Sequence, residues 1–290
     1  MISRYPKVGK KNEVTNFYPA KKVISLNDMT VELSYKLDAI PKDRNSYFTT
    51  RYLNVLQKEK VDDSAKWSVA DRIFDIIQYG LQQNKDLKIK LVYGSPCRYC
   101  GKSHKFNFDY ASLIQSYKAP PDSWPVEKWG NGEIELKPMT GEFETLIEFQ
   151  KSQNWDKKLN EHDKGTIEYE NFQSELEEHN SNVFFEIQFL KVSAHTGIEV
   201  KKLKSLDNDK FKELLIVVQK NIKTLNYGIQ FWKNEDDHLA NPGLIENYHI
   251  CPEPDEKYME KTDSKLLDQY KIGGLEAILI TVPFRAQDCA

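Results

Sequence analysis

Along this chain apolar positions fall at helical spacing in some stretches and alternate with polar ones in others. Lys22 to Leu26 reads as a short strand. Asn27 and Asp28 follow it with side chains suited to capping a helix. In Tyr47 to Gln57, residues Tyr47, Tyr52, Leu53 and Leu56 lie near helical spacing. The clearest helix opens at Ser68, which with Asp71 has the spacing of a capping box. Behind it Val69, Ile73, Phe74, Ile76, Ile77 and Leu81 form a broad apolar face. Residues 87–93 (LKIKLVY) and 104–110 (HKFNFDY) alternate as strands, and GSPCRYCGKS between them predicts a hairpin tip.

Residues 119–132 (APPDSWPVEKWGNG) predict an ordered loop or linker, and GEIELKP a strand. Thr140 is placed to cap a helix carrying Phe143, Leu146, Ile147 and Gln150 on one face. Residues 151–182 are polar and acidic, with Ile167, Phe172 and Leu176 suggesting a mostly exposed helix. VFFEIQFLKV, residues 183–192, fits a buried strand or a short apolar helix, and periodicity does not decide between them. Asp207 to Trp232 predicts the longest helix, with Asp207 or Asp209 as its cap. LEAILITVPF, residues 275–284, reads as an apolar terminal strand.

Together these elements predict an α+β fold: helices packed on small antiparallel sheets, with a zinc-knuckle-like β-hairpin carrying a Cys pair. Residues 1–20 read as a basic N-terminal arm, 21–155 as an α+β domain with the hairpin, and 156–290 as a second α+β region. The boundary is soft, and a single composite domain is the other reading.

Composition narrows the function classes. The 290 residues carry 41 Lys and Arg against 44 Asp and Glu, a net charge of -3. That balance argues against a protein that coats nucleic acid, which needs an excess of cations to neutralise phosphates. No apolar run reaches the length of a membrane span. The first twenty residues lack the apolar core of an export signal, so export through the general secretory route is not expected. Hydrophobic residues are 39% and aromatic ones 12%. This modest core suggests that some apolar surface is completed by neighbouring proteins.

The chemistry centres on Cys97-Arg98-Tyr99-Cys100-Gly101. Two thiolates separated by two residues can bind one Zn²⁺ from a tight turn, and Gly101 permits the positive φ of the return. His104 extends the motif to C-x2-C-x3-H, and His249, Cys251 and Cys289 are distant candidates. The expected metal set is Cys97, Cys100, His104 and Cys251, holding a structural zinc. The competing reading is free thiols in a tight turn. A redox pair fits less well, because the flanks read as two strands and not as a strand leading into a helix. Asn234 to His238 (NEDDH) could bind a cation but reads more simply as a solvated turn. His162, His179 and His195 stand alone and read as surface residues. No phosphate-loop, dinucleotide, nucleophile-elbow or zinc-protease motif occurs, and no enzyme is predicted.

The order of features in residues 65–150 resembles a phage tail family. An acidic-Arg dipeptide (Asp71-Arg72) opens a helix, which leads to LKIKLVY, then the CRYCG hairpin. KFNFDY with Asp109 follows, then IELKPMTGEFETLI with Pro138 and Thr140. This is similar to the baseplate hub and hub-assembly proteins of T-even-type contractile-tailed phages. The resemblance covers about a third of the chain, with Gly141-Glu142 after Thr140 a loose fit. It implies a non-enzymatic virion protein of the tail or baseplate, working by contacts with other tail proteins in a multi-subunit complex. Two rival expectations are an assembly chaperone absent from the finished particle and a zinc-ribbon regulator that binds nucleic acid.

Overall fold

The computed structural model describes residues 12–19, 21–41, 44–58, 62–83, 88–92, 97–103, 105–109, 114, 117–153, 167–229, 244–249, 251, 253–274 and 278–283. The architecture is α+β, with helices packed around small antiparallel strand pairs. Strands β1 (Glu13–Asn16) and β2 (Lys22–Ser25) form the first pair, with Glu13 opposite Ser25. Residues 12–19 of the segment read as an arm are thus folded onto their own chain. Gln82 accepts the Asn12 N–H at 2.8 Å and fixes the start of that fold.

Helix α1 spans Val31–Asp38. Its cap is Thr30, whose hydroxyl accepts from the Leu33 N–H at 3.1 Å. Asn27 and Asp28, the expected caps, are engaged elsewhere: Asn27 donates to the Gln57 carbonyl and Asp28 accepts from Asn12. Helix α2 (Asn45–Leu56) buries Phe48, Tyr52, Leu53 and Leu56. Helix α3 (Val69–Gln83) begins as its capping spacing predicts, the Asp71 N–H donating to Ser68 Oγ at 3.0 Å. Its apolar face meets α2, Trp67 and β1 in the main core. Each fully buried ring or aliphatic side chain here stabilises by about 1.5–3 kcal/mol relative to exposure.

Strands β3 (Lys88–Val92) and β4 (Lys105–Asp109) pair antiparallel, Lys88 opposite Asp109, as their alternation predicts. The Cys97–Ser103 stretch lies in the connection between them. Strand β5 (Tyr117–Lys118) pairs with β8 (Gly228–Ile229). Strand β6 (Val126–Trp129), inside the region read as a loop, makes a hairpin with β7 (Gly132–Glu135), which falls in the stretch GEIELKP read as a strand. The strand VEKW was hidden by its Pro- and Gly-rich flanks, and pairing with GEIE is what fixes it.

Helix α4 spans Gly141–Ser152, directly after Thr140. Helix α5 runs Ile167–Thr196, a 30-residue element that exceeds the expected longest helix. VFFEIQFLKV is its C-terminal part. The run is mostly apolar, yet Val183, Leu190 and Val192 are buried while Phe184 and Phe185 are 57% and 55% exposed. After a short helix α6 (Val200–Lys204), α7 spans Asn208–Leu225, with Asp207 accepting from the Lys210 N–H at 2.8 Å. Strand β9 (Leu244–His249) pairs with β10 (Ile278–Pro283), so the terminal strand finds a partner within the chain. Helices α8 (Glu256–Thr262) and α9 (Ser264–Gly273) lie between these two strands in sequence.

Contacts cross the soft boundary near residue 155 at several points. Besides β5 and β8, the Tyr227 hydroxyl meets Ser68 and Asp71, and Cys251 meets the Cys97–Cys100 turn. No described helix is long and apolar enough to cross a membrane.

Candidate metal centre

The turn carrying the first two cysteines is built by its backbone. The Cys100 and Gly101 N–H groups donate to the Cys97 carbonyl at 3.2 and 2.7 Å, and the Cys97 N–H donates to the Lys102 carbonyl at 3.0 Å. Gly101 takes φ +68°, a conformation that penalises any side chain. It is also a point of close approach, since a Cβ there would lie 2.5 Å from the Tyr258 ring. The sequence therefore needs glycine at this position for two separate reasons.

Tyr258 belongs to α8, and the C-terminal segment is bound to the turn through it and its neighbours. The Asp255 N–H donates to the Tyr99 carbonyl at 2.8 Å. The Asp255 carboxylate caps α8 by accepting from the Tyr258 N–H at 3.1 Å, and Asp263 caps α9 through Leu266. Lys102 and Glu253 form an exposed ion pair at 3.1 Å, which adds little. Arg98 lies over the Tyr99 ring, 4.8 Å from its centre, and donates to the Tyr99 hydroxyl. Arg98 and Lys102 are thus engaged locally.

These contacts bring Cys251 against Cys97 and Cys100. The three sulfurs lie within 4.8 Å of one another, and all three residues are buried. A tetrahedral zinc at about 2.3 Å from each thiolate sets sulfur–sulfur separations of about 3.8 Å, within that limit. Met259, Leu266 and Leu267 close the cluster from the α8–α9 side, with Tyr270 packed against them. Burial, more than any other cause, pushes the Cys251 thiol up to about 12. The Glu253 N–H opposes that shift, while the Cys100 and Cys97 sulfurs reinforce it. That burial keeps the Cys251 thiol protonated at neutral pH, and a bound divalent ion would reverse this by stabilising the thiolate. The arrangement can hold a metal ion.

Of the four expected ligands the structure brings three together, from positions that span 97 to 251 in the sequence. His104 lies outside the described residues, as do Cys289, His162 and Asn234 to His238. His195, read as a surface residue, is 4% exposed. Its Nδ1 sits 2.8 Å from the Lys137 carbonyl, and burial lowers its pKa, so the neutral ring donates from Nδ1. His179 meets the Gln153 carbonyl at 2.8 Å.

A second polar centre lies on α3, and residue spacing gave no sign of its role. Arg72 is wholly buried. It donates to the Ser46 carbonyl at 2.7 Å, Thr50 Oγ1 at 2.8 Å and Glu144 Oε2 at 2.7 Å. Helices α2, α3 and α4 are thereby joined by one guanidinium. Gly141 makes room for it: a Cβ at that position would lie 2.0 Å from Arg72 Nη1. This is why Gly follows Thr140. The preceding Asp71 accepts the Phe17 and Tyr18 N–H groups and the Tyr227 hydroxyl. Burial nevertheless pushes its carboxyl up to about 6. One turn on, Asp75 is fully buried and neither of its carboxyl oxygens has a hydrogen-bond partner among the described residues.

No family model, no curated protein and no solved structure matches this chain. The phage-tail resemblance rests on the motifs quoted above.

Proposed function

We propose that this protein is a non-catalytic component of a phage tail or baseplate, working by protein–protein contacts, with a structural zinc as an internal staple. The observation that carries the staple is the buried three-cysteine cluster joining two segments about 150 residues apart. Its sulfurs are enclosed by Met259, Leu266 and Leu267, surroundings suited to a closed structural site and not to a metal that must admit substrate. The identity of the ion follows from ligand chemistry, since a thiolate-rich tetrahedral set selects zinc among available divalent ions. His104 supplies the fourth ligand in this reading, from the C-x2-C-x3-H spacing. The virion role is supported by the ordered motifs of residues 65–150.

Two measurements test the two halves. Metal analysis of the purified chain is expected to give one zinc per molecule, lost in Cys97→Ser and His104→Ala. Absence of zinc from the parent protein overturns the staple. Mass spectrometry of purified particles of the virus encoding the chain is expected to find its peptides. Their absence, with the protein present in infected cells, overturns the virion role in favour of an assembly chaperone.

A further inference from the structure

Helices α5 and α7 line a groove of about 710 Å³. Its apolar walls come from Phe184, Phe185 and Val192 on α5 and from Phe211, Leu215 and Ile222 on α7. Two adjacent phenylalanines more than half exposed are a costly feature unless something covers them. The groove also carries charge of one sign. Lys191 and Lys212 line it, and neither has a carboxylate partner among the described residues. Glu186, the acid on the same stretch of α5, is already paired with Lys204 at 2.5 Å. Lys191 is partly buried, and the nearby charge that acts on it is another cation, Lys151. An ammonium held in an apolar wall beside a like charge is stabilised by an incoming carboxylate.

The walls are two helices, α5 of 30 residues and α7 of 18, and the space between them is a trough, not an enclosed chamber. A third helix laid in such a trough buries its apolar stripe against both walls. We propose that the α5–α7 groove is a docking site for an acidic amphipathic helix of another protein, its leucine-like face on Phe184, Phe185 and Leu215 and its carboxylates on Lys191 and Lys212. This rests on the reading of the chain as a contact protein, and it is tested with purified protein, independently of particle content.

The probe is a fluorescein-labelled peptide of the length of α7, with leucines at i, i+3, i+4 and i+7 and glutamates flanking them. A matched peptide carries lysine for every glutamate. Fluorescence anisotropy is expected to show the acidic peptide binding at least about tenfold more tightly than the basic one. Phe185→Asp, on an exposed position that leaves folding intact, is expected to abolish binding. Lys212→Glu is expected to weaken the acidic peptide and strengthen the basic one. Binding of neither peptide, equal binding of both, or indifference to Phe185→Asp overturns the proposal. Uptake of dodecanoate in place of either peptide makes the groove a lipid site. A dimer in solution that Phe184→Asp converts to monomer makes the occupant a second copy. Either of these outcomes also overturns it.

Discussion

Arg72 and the three-cysteine cluster perform the same topological task by opposite chemistry. Each collects segments far apart in sequence at one buried polar point. Arg72 joins Ser46, Thr50 and Glu144. The cysteines join the 97–100 turn to residue 251. The guanidinium arrives with its counter-charge and the acceptors of both terminal nitrogens supplied by the chain, only Nε lacking a partner among the described residues. The three sulfurs are like groups gathered at one buried point, and like groups do not satisfy one another. One centre is therefore supplied by the chain itself, and the other, in the function proposed here, draws on an ion from solution. The difference lies in whether the buried groups are complementary or alike, not in how deeply they are buried.

The largest effect is expected from breaking the Arg72 centre. Arg72→Ala leaves the Glu144 carboxylate and the Ser46 carbonyl facing a void. Loss of one member of a buried ion pair costs about 3–5 kcal/mol, enough to remove a large share of a domain's stability. Urea denaturation is expected to show an early midpoint or no folded baseline. Added zinc does not rescue it, because the defect lies in α2, α3 and α4. A midpoint within error of the parent protein contradicts the role given to Arg72.

Breaking the cysteine centre should produce a smaller and more local effect. Cys251→Ser is expected to lose the metal and to make the melting temperature indifferent to chelator, whereas the parent melts earlier when its metal is stripped. Hydrogen exchange then locates the damage. Amides of 97–103 and 253–270 should exchange faster, while those of α2 and α3 stay protected. Equal loss of protection in both places would mean that the two centres form one cooperative unit and that the contrast drawn above is false.

How much of this was legible in the sequence differs between the two centres. The thiol motif announces itself, because C-x2-C-G needs only a short turn and local spacing encodes it. Cys251 was readable as a candidate ligand, but its seal was not. That seal depends on α8 and α9, two short helices whose apolar residues Met259, Leu266 and Leu267 gain meaning only against the turn. Their Asp255 and Asp263 caps are the local signal that the sequence carries for these two helices. Arg72 offered no local sign of burial, since the groups that satisfy it come from two other helices. Gly141 looked like a loose fit to a motif and proves to be the clearance for a guanidinium. The same limit explains the 183–192 run: its hydrophobicity was plain, but which side would be covered depended on α7 and on the groove between them.

The smallest expected effect concerns a third buried group, whose carboxyl oxygens have no hydrogen-bond partner among the described residues. The Asp75 carboxyl is held well above its ordinary range, chiefly by burial and then by the neighbouring Asp71 charge. It resolves its position by staying protonated. In the unfolded chain it titrates near 4, so folding at neutral pH takes up a proton. Its contribution to stability is full below that value and is lost as pH rises through the raised folded value. Asp71, with a folded value of about 6, acts in the same direction over the lower part of the range. The parent protein should therefore lose stability between pH 5 and pH 8, at no more than about 1.4 kcal/mol per pH unit for each such proton. Asp75→Asn keeps the shape and removes the titration. Its urea midpoint is expected to fall less steeply over that window and to equal or exceed the parent's at pH 8. Parallel curves for the two proteins would show that Asp75 is ionised in the fold and that a cation or donor satisfies it, placing it with the cysteines instead of apart from them.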